Sequence, residues 1–315
     1  MIPLRQPAFA KPASTLRSGS GAAAAAEDGP AGEGRGSGGQ VRVFVGCAPD
    51  GQDAESQAVL EYTLRRHASR PVEITWMRLS RDPASPFYSS PETGEGWRTE
   101  RWATPFSGFR WAVSSLCGFE GTAVYMDSDI IVCADIAELA DQAFMSSETV
   151  LARRSPGTRF CVSLWRCSRA ARWLRNIEAL RADPGSHHAM TRLFATNPRL
   201  VGRFRGDWNC LDGEGYADLD DPGLKALHYT SMPHQPHLPR ARARLAAQGR
   251  YHWFDGTVAP HWRRDLVEMF ERLLSEADAA GFRTEDYEGG AFGKVAKKSL
   301  AGLGKSLPSW AGAAR

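Results

Sequence analysis
Residues 123–132, AVYMDSDIIV, set two carboxylates, Asp127 and Asp129, on either side of Ser128 in an otherwise apolar run. β-Branched and aromatic residues with no Gly or Pro predict one strand, on which side chains two apart share a face. Neighbouring anions repel, and burying them unpaired is costly. Three arrangements would cancel the charge. The first is a divalent cation, since hard oxygen ligands at short spacing suit magnesium, manganese or calcium. The second is an aspartyl nucleophile working with its acid partner. The third places both carboxylates where the strand leaves the sheet, solvated or capping.

The position favours the cation. Ligands of open α/β sheets bind at the carboxyl ends of strands, and VYM delivers Asp127 to such an end. A nucleotide diphosphate would complete the site, because magnesium-like ions share their shell with phosphate oxygens and water. The nucleophile reading resembles haloacid dehalogenase-type phosphatases. Those usually carry the motif on the first strand with Thr or Val two residues after it; here Ile130 and Ile131 follow, and two predicted strands come first.

The elements that must position the pair are of α/β type. VRVFVG (41–46) reads as a buried strand ended by a loop, DAESQAVLEYTLRRHA as a helix running from acidic to basic, and PVEITWMRL as a second strand. Strand, helix, strand predicts a βαβ unit and a parallel sheet. FSGFRWAVSSL reads as a helix before the carboxylates, and Asp135 caps a short helix after them. TVLARR and RFCVSLWRC read as strands, SRAARWLRNIEALRAD as one helix, GDWNCLDGEGYADLDDPGL as a loop, KALHYTSMPHQPHLP as a short strand entering a Pro-rich loop, and 265–280 as the last helix. Residues 1–40, rich in Ala, Gly, Ser and Pro, read as a disordered tail, 41–285 as the folded domain and 286–315 as a basic tail.

The chain has 315 residues, 42% hydrophobic, with a formal charge of +3, too small to argue for nucleic acid as a partner. The six cysteines form no C-x-x-C pair, which argues against structural zinc and fits a reducing compartment. No apolar run reaches the roughly 18 residues of a membrane span. The expected location is the cytoplasm. Phe292, Val295, Leu300, Leu303 and Leu307 interleave with lysines near the end, a pattern that would allow peripheral contact with the inner face of a membrane. The richness in Ala, Arg and Gly suggests a bacterial, GC-rich source.

Taken together, VYMDSDIIVCADIAEL, Arg110 in FSGFRWAVSSL, Trp208-Asn209 and His228 in HYTSMPHQPH resemble a family eight glycosyltransferase of GT-A fold. The resemblance runs from about residue 41 to 239. It implies a Rossmann-like mixed sheet flanked by helices. It implies that Asp127, Asp129 and His228 hold Mn2+ or Mg2+ bridging the phosphates of a nucleotide sugar, most often UDP-linked. In such a site Arg110 and Ser128 lie against the donor, while Val45, Gly46 and Cys47 line the nucleoside pocket, with Asp50 near the base or ribose. The expected reaction moves a hexose, with retention, to a hydroxyl of a carbohydrate or lipid-linked acceptor.

Two departures stand out. Gln235-Pro236-His237 occupies the family's Lys-Pro-Trp, so a neutral amide replaces a lysine that would neutralise diphosphate, leaving Arg240 as a substitute charge. ADPGSHHAMTRLF, with His187 and His188, replaces a D-Q-D segment, so no residue is assigned at the anomeric carbon. Asp207 and Asp212 are weak candidates for acceptor binding. A nucleotide-sugar-binding protein without transfer activity is the remaining alternative.

Overall fold
The computed structural model describes residues 39–154, 158–214 and 219–288, together with 292, 293 and 295. The tail expected at 1–40 lies almost wholly outside them, as does most of the basic C-terminal segment. The strands are β1 (Val41–Gly46), β2 (Val72–Met77), β3 (Ser89–Ser90), β4 (Glu95–Gly96), β5 (Thr122–Asp127), β6 (Ile130–Val132), β7 (Val150–Arg153), β8 (Arg159–Arg166), β9 (Val201–Arg203), β10 (Cys210–Leu211) and β11 (Ala226–His228). The helices are α1 (Ala54–His67), α2 (Val113–Leu116), α3 (Ile136–Ala140), α4 (Cys167–Ala170), α5 (Ile177–Ala182), α6 (Ser186–Thr196), α7 (Leu238–Ala247) and α8 (Arg264–Ala279).

Six strands form the main sheet in the order β2-β1-β5-β8-β7-β9. β1 runs parallel to β2 and β5, β8 is antiparallel to both β5 and β7, and β9 is parallel to β7. This is the mixed sheet flanked by helices expected of the α/β, GT-A-type reading. The carboxyl ends of β1, β5, β7 and β9 therefore share one edge, with the start of β8. Period-two alternation sorts the strands onto two cores. Val43, Val45, Val124 and Met126 pack with Leu60 and Leu64 of α1 on one face. Phe44, Ala123 and Tyr125 face an aromatic core of Phe109, Trp111, Trp165 and Phe194 on the other.

AVYMDSDIIV is two strands, not one. β5 ends at Asp127, and β6 joins a second sheet, β10-β11-β6. The break has a hydrogen-bonding cause. Ser128 donates its N–H back to the Gly46 carbonyl at 3.0 Å, while the Asp129 carbonyl accepts from the Tyr229 N–H at 3.2 Å, already committing the chain to β11. The two carboxylates thus sit on either side of a turn and do not share a strand face.

Other boundaries moved for local reasons. FSGFRWAVSSL is a 3-10 turn (Phe109–Ala112) running into α2. The single helix expected from SRAARWLRNIEALRAD is α4 and α5, with Asn176 capping the second by accepting from the Ala179 N–H. Asp135 caps α3 as expected, accepting from the Ala137 N–H. In α8 the buried Leu266, Phe270, Leu273 and Ala277 recur at helical spacing, and the first three pack with β10, β11 and α1.

Candidate functional site
Asp127 closes β5 opposite Gly46 of β1. Its neighbour two residues back, Tyr125, lies on the same face and donates its hydroxyl to Asp127 Oδ1 at 2.7 Å. Arg110 Nη2 reaches both oxygens of Asp127 at 3.2 Å. Its guanidinium lies 5.2 Å from the Tyr125 ring centroid, a cation–π distance. Burial works against the charge on Arg110, but Asp127 first, then Tyr125 and Cys161, together outweigh it and hold the guanidinium above its ordinary value. Gly46 belongs to the same arrangement: a Cβ there would stand 2.3 Å from the Tyr125 hydroxyl. The close approach that requires glycine here is made by the tyrosine that orients Asp127.

Asp129 is held from the other side. Gln235 Nε2 donates to its Oδ2 at 2.6 Å. Its Oδ1 stands 3.3 Å from His228 Nε2, close enough for an ion pair but not aligned as a hydrogen bond, so this buried oxygen has no hydrogen-bond partner. His228, at the end of β11, is 4% exposed, and its Nδ1 lies 2.9 Å from Asn209 Oδ1. The amide oxygen takes the Nδ1 proton, which leaves Nε2 as the imidazole atom facing the carboxylates. Burial lowers the affinity of His228 for a proton, but Asp129 first, then Asp127 and Asp212, raise it above the ordinary value.

These donors fit a hard divalent cation. The orphaned Asp129 Oδ1 and the Nε2 of His228 face each other, and the ligand atoms of Asp127, Cys161 and His228 all lie within 4.8 Å of one another. Asp127 accepts three hydrogen bonds, and a carboxylate has about four lone-pair sites. Cys161 is a poor ligand for such an ion, because burial and then Asp127 push its thiol up to about 12. The register of β5 against β8 brings it there, and no motif in the sequence marks it.

Of the remaining expected residues, Val45 and Cys47 have fully buried side chains, so a nucleoside would meet only their backbone. Burial pushes the Cys47 thiol up to about 12. Ser128 is buried in the turn. Asp50 has φ 56°, and its carboxylate accepts from the N–H groups of Phe292 at 2.6 Å and Gly293 at 2.9 Å. It is therefore engaged with the C-terminal segment. Residues expected in a separate tail pack onto the domain: Glu288 pairs with Arg244, and Phe292 and Val295 are buried.

Several side chains singled out from the sequence have structural duties. His187, half-buried at the edge of the aromatic core, accepts from Trp111 Nε1 at 2.9 Å. Arg240 pairs with Glu271, which occupies the charge proposed to replace the missing lysine. Asp212 accepts from Thr230 at 2.8 Å and lies 3.2 Å from His261 Nε2, bracing the loop after His228. A second buried cluster joins Asp53, His237 and His252. Phe254 donates its N–H to His252 Nδ1 at 3.0 Å, so the proton sits on Nε2 and points to Asp53 Oδ1 at 2.9 Å. A histidine used in that way has no lone pair left for a metal.

No family model matches the chain. It is 24% identical over 264 residues to Protein CDI of Arabidopsis thaliana, spanning 76% of this chain and 91% of that protein. Among solved structures it is similar to the galactosyltransferase LgtC in complex with donor and acceptor sugar analogs, at 12% identity over 75% of this chain and 96% of that one, TM-score 0.47. It is similar to the glycosyltransferase GlyE of Streptococcus pneumoniae TIGR4 at 14% identity over 82% and 67%, TM-score 0.45. Mouse xyloside xylosyltransferase 1 follows at 12% identity over 61% and 98%, TM-score 0.42. Among the described residues no helix is long and apolar enough to cross a membrane.

Proposed function
We propose that this chain is a metal-dependent glycosyltransferase that moves a hexose from a nucleotide-diphosphate sugar, UDP-linked, to a hydroxyl acceptor with retention. The observation that carries the reading is His228, whose ligand atom lies within 4.8 Å of that of Asp127 and whose Nε2 stands 3.3 Å from Asp129 Oδ1, a buried carboxylate oxygen left without a hydrogen bond.

Asp127, Asp129 and His228 would hold Mn2+ or Mg2+. A cation bound there supplies charge stabilisation for a leaving diphosphate. The chain's own residues do the positioning. Asn209 keeps the His228 Nε2 lone pair turned inward, Gln235 fixes the rotamer of Asp129, and Tyr125 with Arg110 fixes Asp127. Arg110 keeps a permanent positive charge at the edge where phosphates would lie. In a front-face transfer the bond from the anomeric carbon to the β-phosphate oxygen breaks as the acceptor oxygen bonds to that carbon. The acceptor proton passes to the departing phosphate oxygen, so no protein nucleophile is required. The phosphatase reading has less support: Asp127, the carboxylate that would attack, is buried and bound by Arg110 and Tyr125.

The test is release of UDP from a panel of UDP-hexoses with manganese, followed chromatographically. Metal-dependent release lost in Asp129→Ala supports the reading. UDP binding without any release would point to the non-transferring binding protein, and phosphate release from a phosphomonoester through trapped aspartyl-phosphate would point to the phosphatase.

A further inference from the structure
A pocket of about 340 Å3 opens at the ends of β7 and β9, on the sheet edge that also carries Asp127. Its volume lies in the range of small-ligand sites. It is lined by Arg153 at the end of β7, Arg154 after it, Arg203 at the end of β9, and Asp207, with Trp208 and Asn209. Three arginines thus face one carboxylate. Arg153 is committed: it donates to the Asn209 carbonyl at 2.6 Å and pairs with Glu214. Arg154 and Arg203 are exposed, and among the described residues neither guanidinium has a hydrogen-bond or ion-pair partner. The segment carrying Arg203 is held rigidly, because Gln142 bonds both the N–H and the carbonyl of Arg205 at 2.8 Å.

Asn209 joins this pocket to the candidate metal site. Its side-chain oxygen stands 2.9 Å from His228 Nδ1, while its backbone carbonyl accepts from Arg153. A ligand seated against the arginines would therefore be separated from His228 by Asn209 alone. A neutral sugar would leave the charge of both guanidiniums uncompensated. A carboxylate or phosphate matches their planar fork.

Resting on the glycosyltransferase reading, we propose that this pocket is the acceptor subsite and takes a saccharide bearing an acidic group, a carboxylate or a phosphate monoester. The experiment is calorimetric titration of the full chain, loaded with manganese and UDP, with glucuronate, glucose 6-phosphate and glucose. Either anionic sugar is expected to bind at least roughly tenfold tighter than glucose. Preference for one of the two identifies the acid. Arg154→Ala/Arg203→Ala should remove that preference while leaving manganese-dependent UDP binding at its wild-type strength. Equal binding of all three sugars, or an anion preference that survives the double substitution, overturns the inference. If UDP fails to bind but the arginine-dependent anion preference is present, the donor reading fails and the anionic subsite stands.

Discussion

Gln235 holds Asp129: its Nε2 donates to Oδ2 at 2.6 Å and to the Tyr229 carbonyl at 2.7 Å. In the resembling family the matching position is a lysine placed to neutralise diphosphate. Here the amide is spent on orienting a candidate metal ligand, and the nearest proposed replacement, Arg240, is paired with Glu271. Beside the paired carboxylates themselves, the positive charge then rests on Arg110. Gln235→Ala should weaken manganese-dependent UDP binding about tenfold, since a hydrogen bond to a charged group is lost. Unchanged affinity by calorimetry would show that Asp129 needs no such support.

Asn209 sets the tautomer of His228. Asn209→Ala should lower manganese affinity by roughly 10–100-fold, the usual cost of removing the partner behind a ligating histidine. The thermal midpoint should stay near wild type. Competition with a fluorescent manganese chelator reads the affinity directly, and an affinity within twofold of wild type would contradict the role.

Arg110 and Asp127 form a buried pair. Arg110→Ala strands a buried carboxylate and should destabilise the fold by about 3–5 kcal/mol in urea denaturation. Adding Asp127→Ala should recover part of that loss, giving a double variant more stable than the sum of the single changes. Strict additivity would mean the two residues do not interact in solution.

Much of this site could be read from the sequence. The D-x-D pair is legible as two carboxylates at a short, fixed offset, whereas Arg110, His228 and Trp208-Asn209 are legible only through the resemblance to a glycosyltransferase family. Tyr125 was readable in principle, being two residues before Asp127 on a strand. What escaped was set by long-range pairing. Nothing local in AVYMDSDIIV breaks it after Asp127; the break follows from Gly46 and Tyr229, far away in the chain, taking the hydrogen bonds on either side. Cys161 reaches the site through the register of β8 against β5 alone. Likewise α6 and α7 went unread: one begins in a His pair, the other in a Pro-rich run.

Asp53 provides a pH test of the loop after β1. It is buried and accepts from the Ala48 N–H at 3.1 Å and from His252 at 2.9 Å. Burial opposes its charge, but His237, whose Nε2 lies 3.8 Å away, and the hydrogen-bonded His252 together outweigh that and hold its carboxyl well below the usual carboxylate range. A depressed folded value means the stabilisation is complete above the unfolded value near pH ~4 and is lost as the pH falls through the folded one. Asp53→Asn should therefore lower the urea midpoint at pH 7, and the gap from wild type should narrow at pH 3. A gap that stays constant would assign the effect to packing instead of charge.

The most direct test of the central claim is calorimetric titration of the full chain with UDP, with and without manganese, in wild type and Asp129→Ala. The account predicts UDP binding only with manganese, abolished by the substitution. Binding of equal strength without metal, or undiminished in Asp129→Ala, would contradict it, and the paired carboxylates would then be a structural turn held by Arg110 and Gln235.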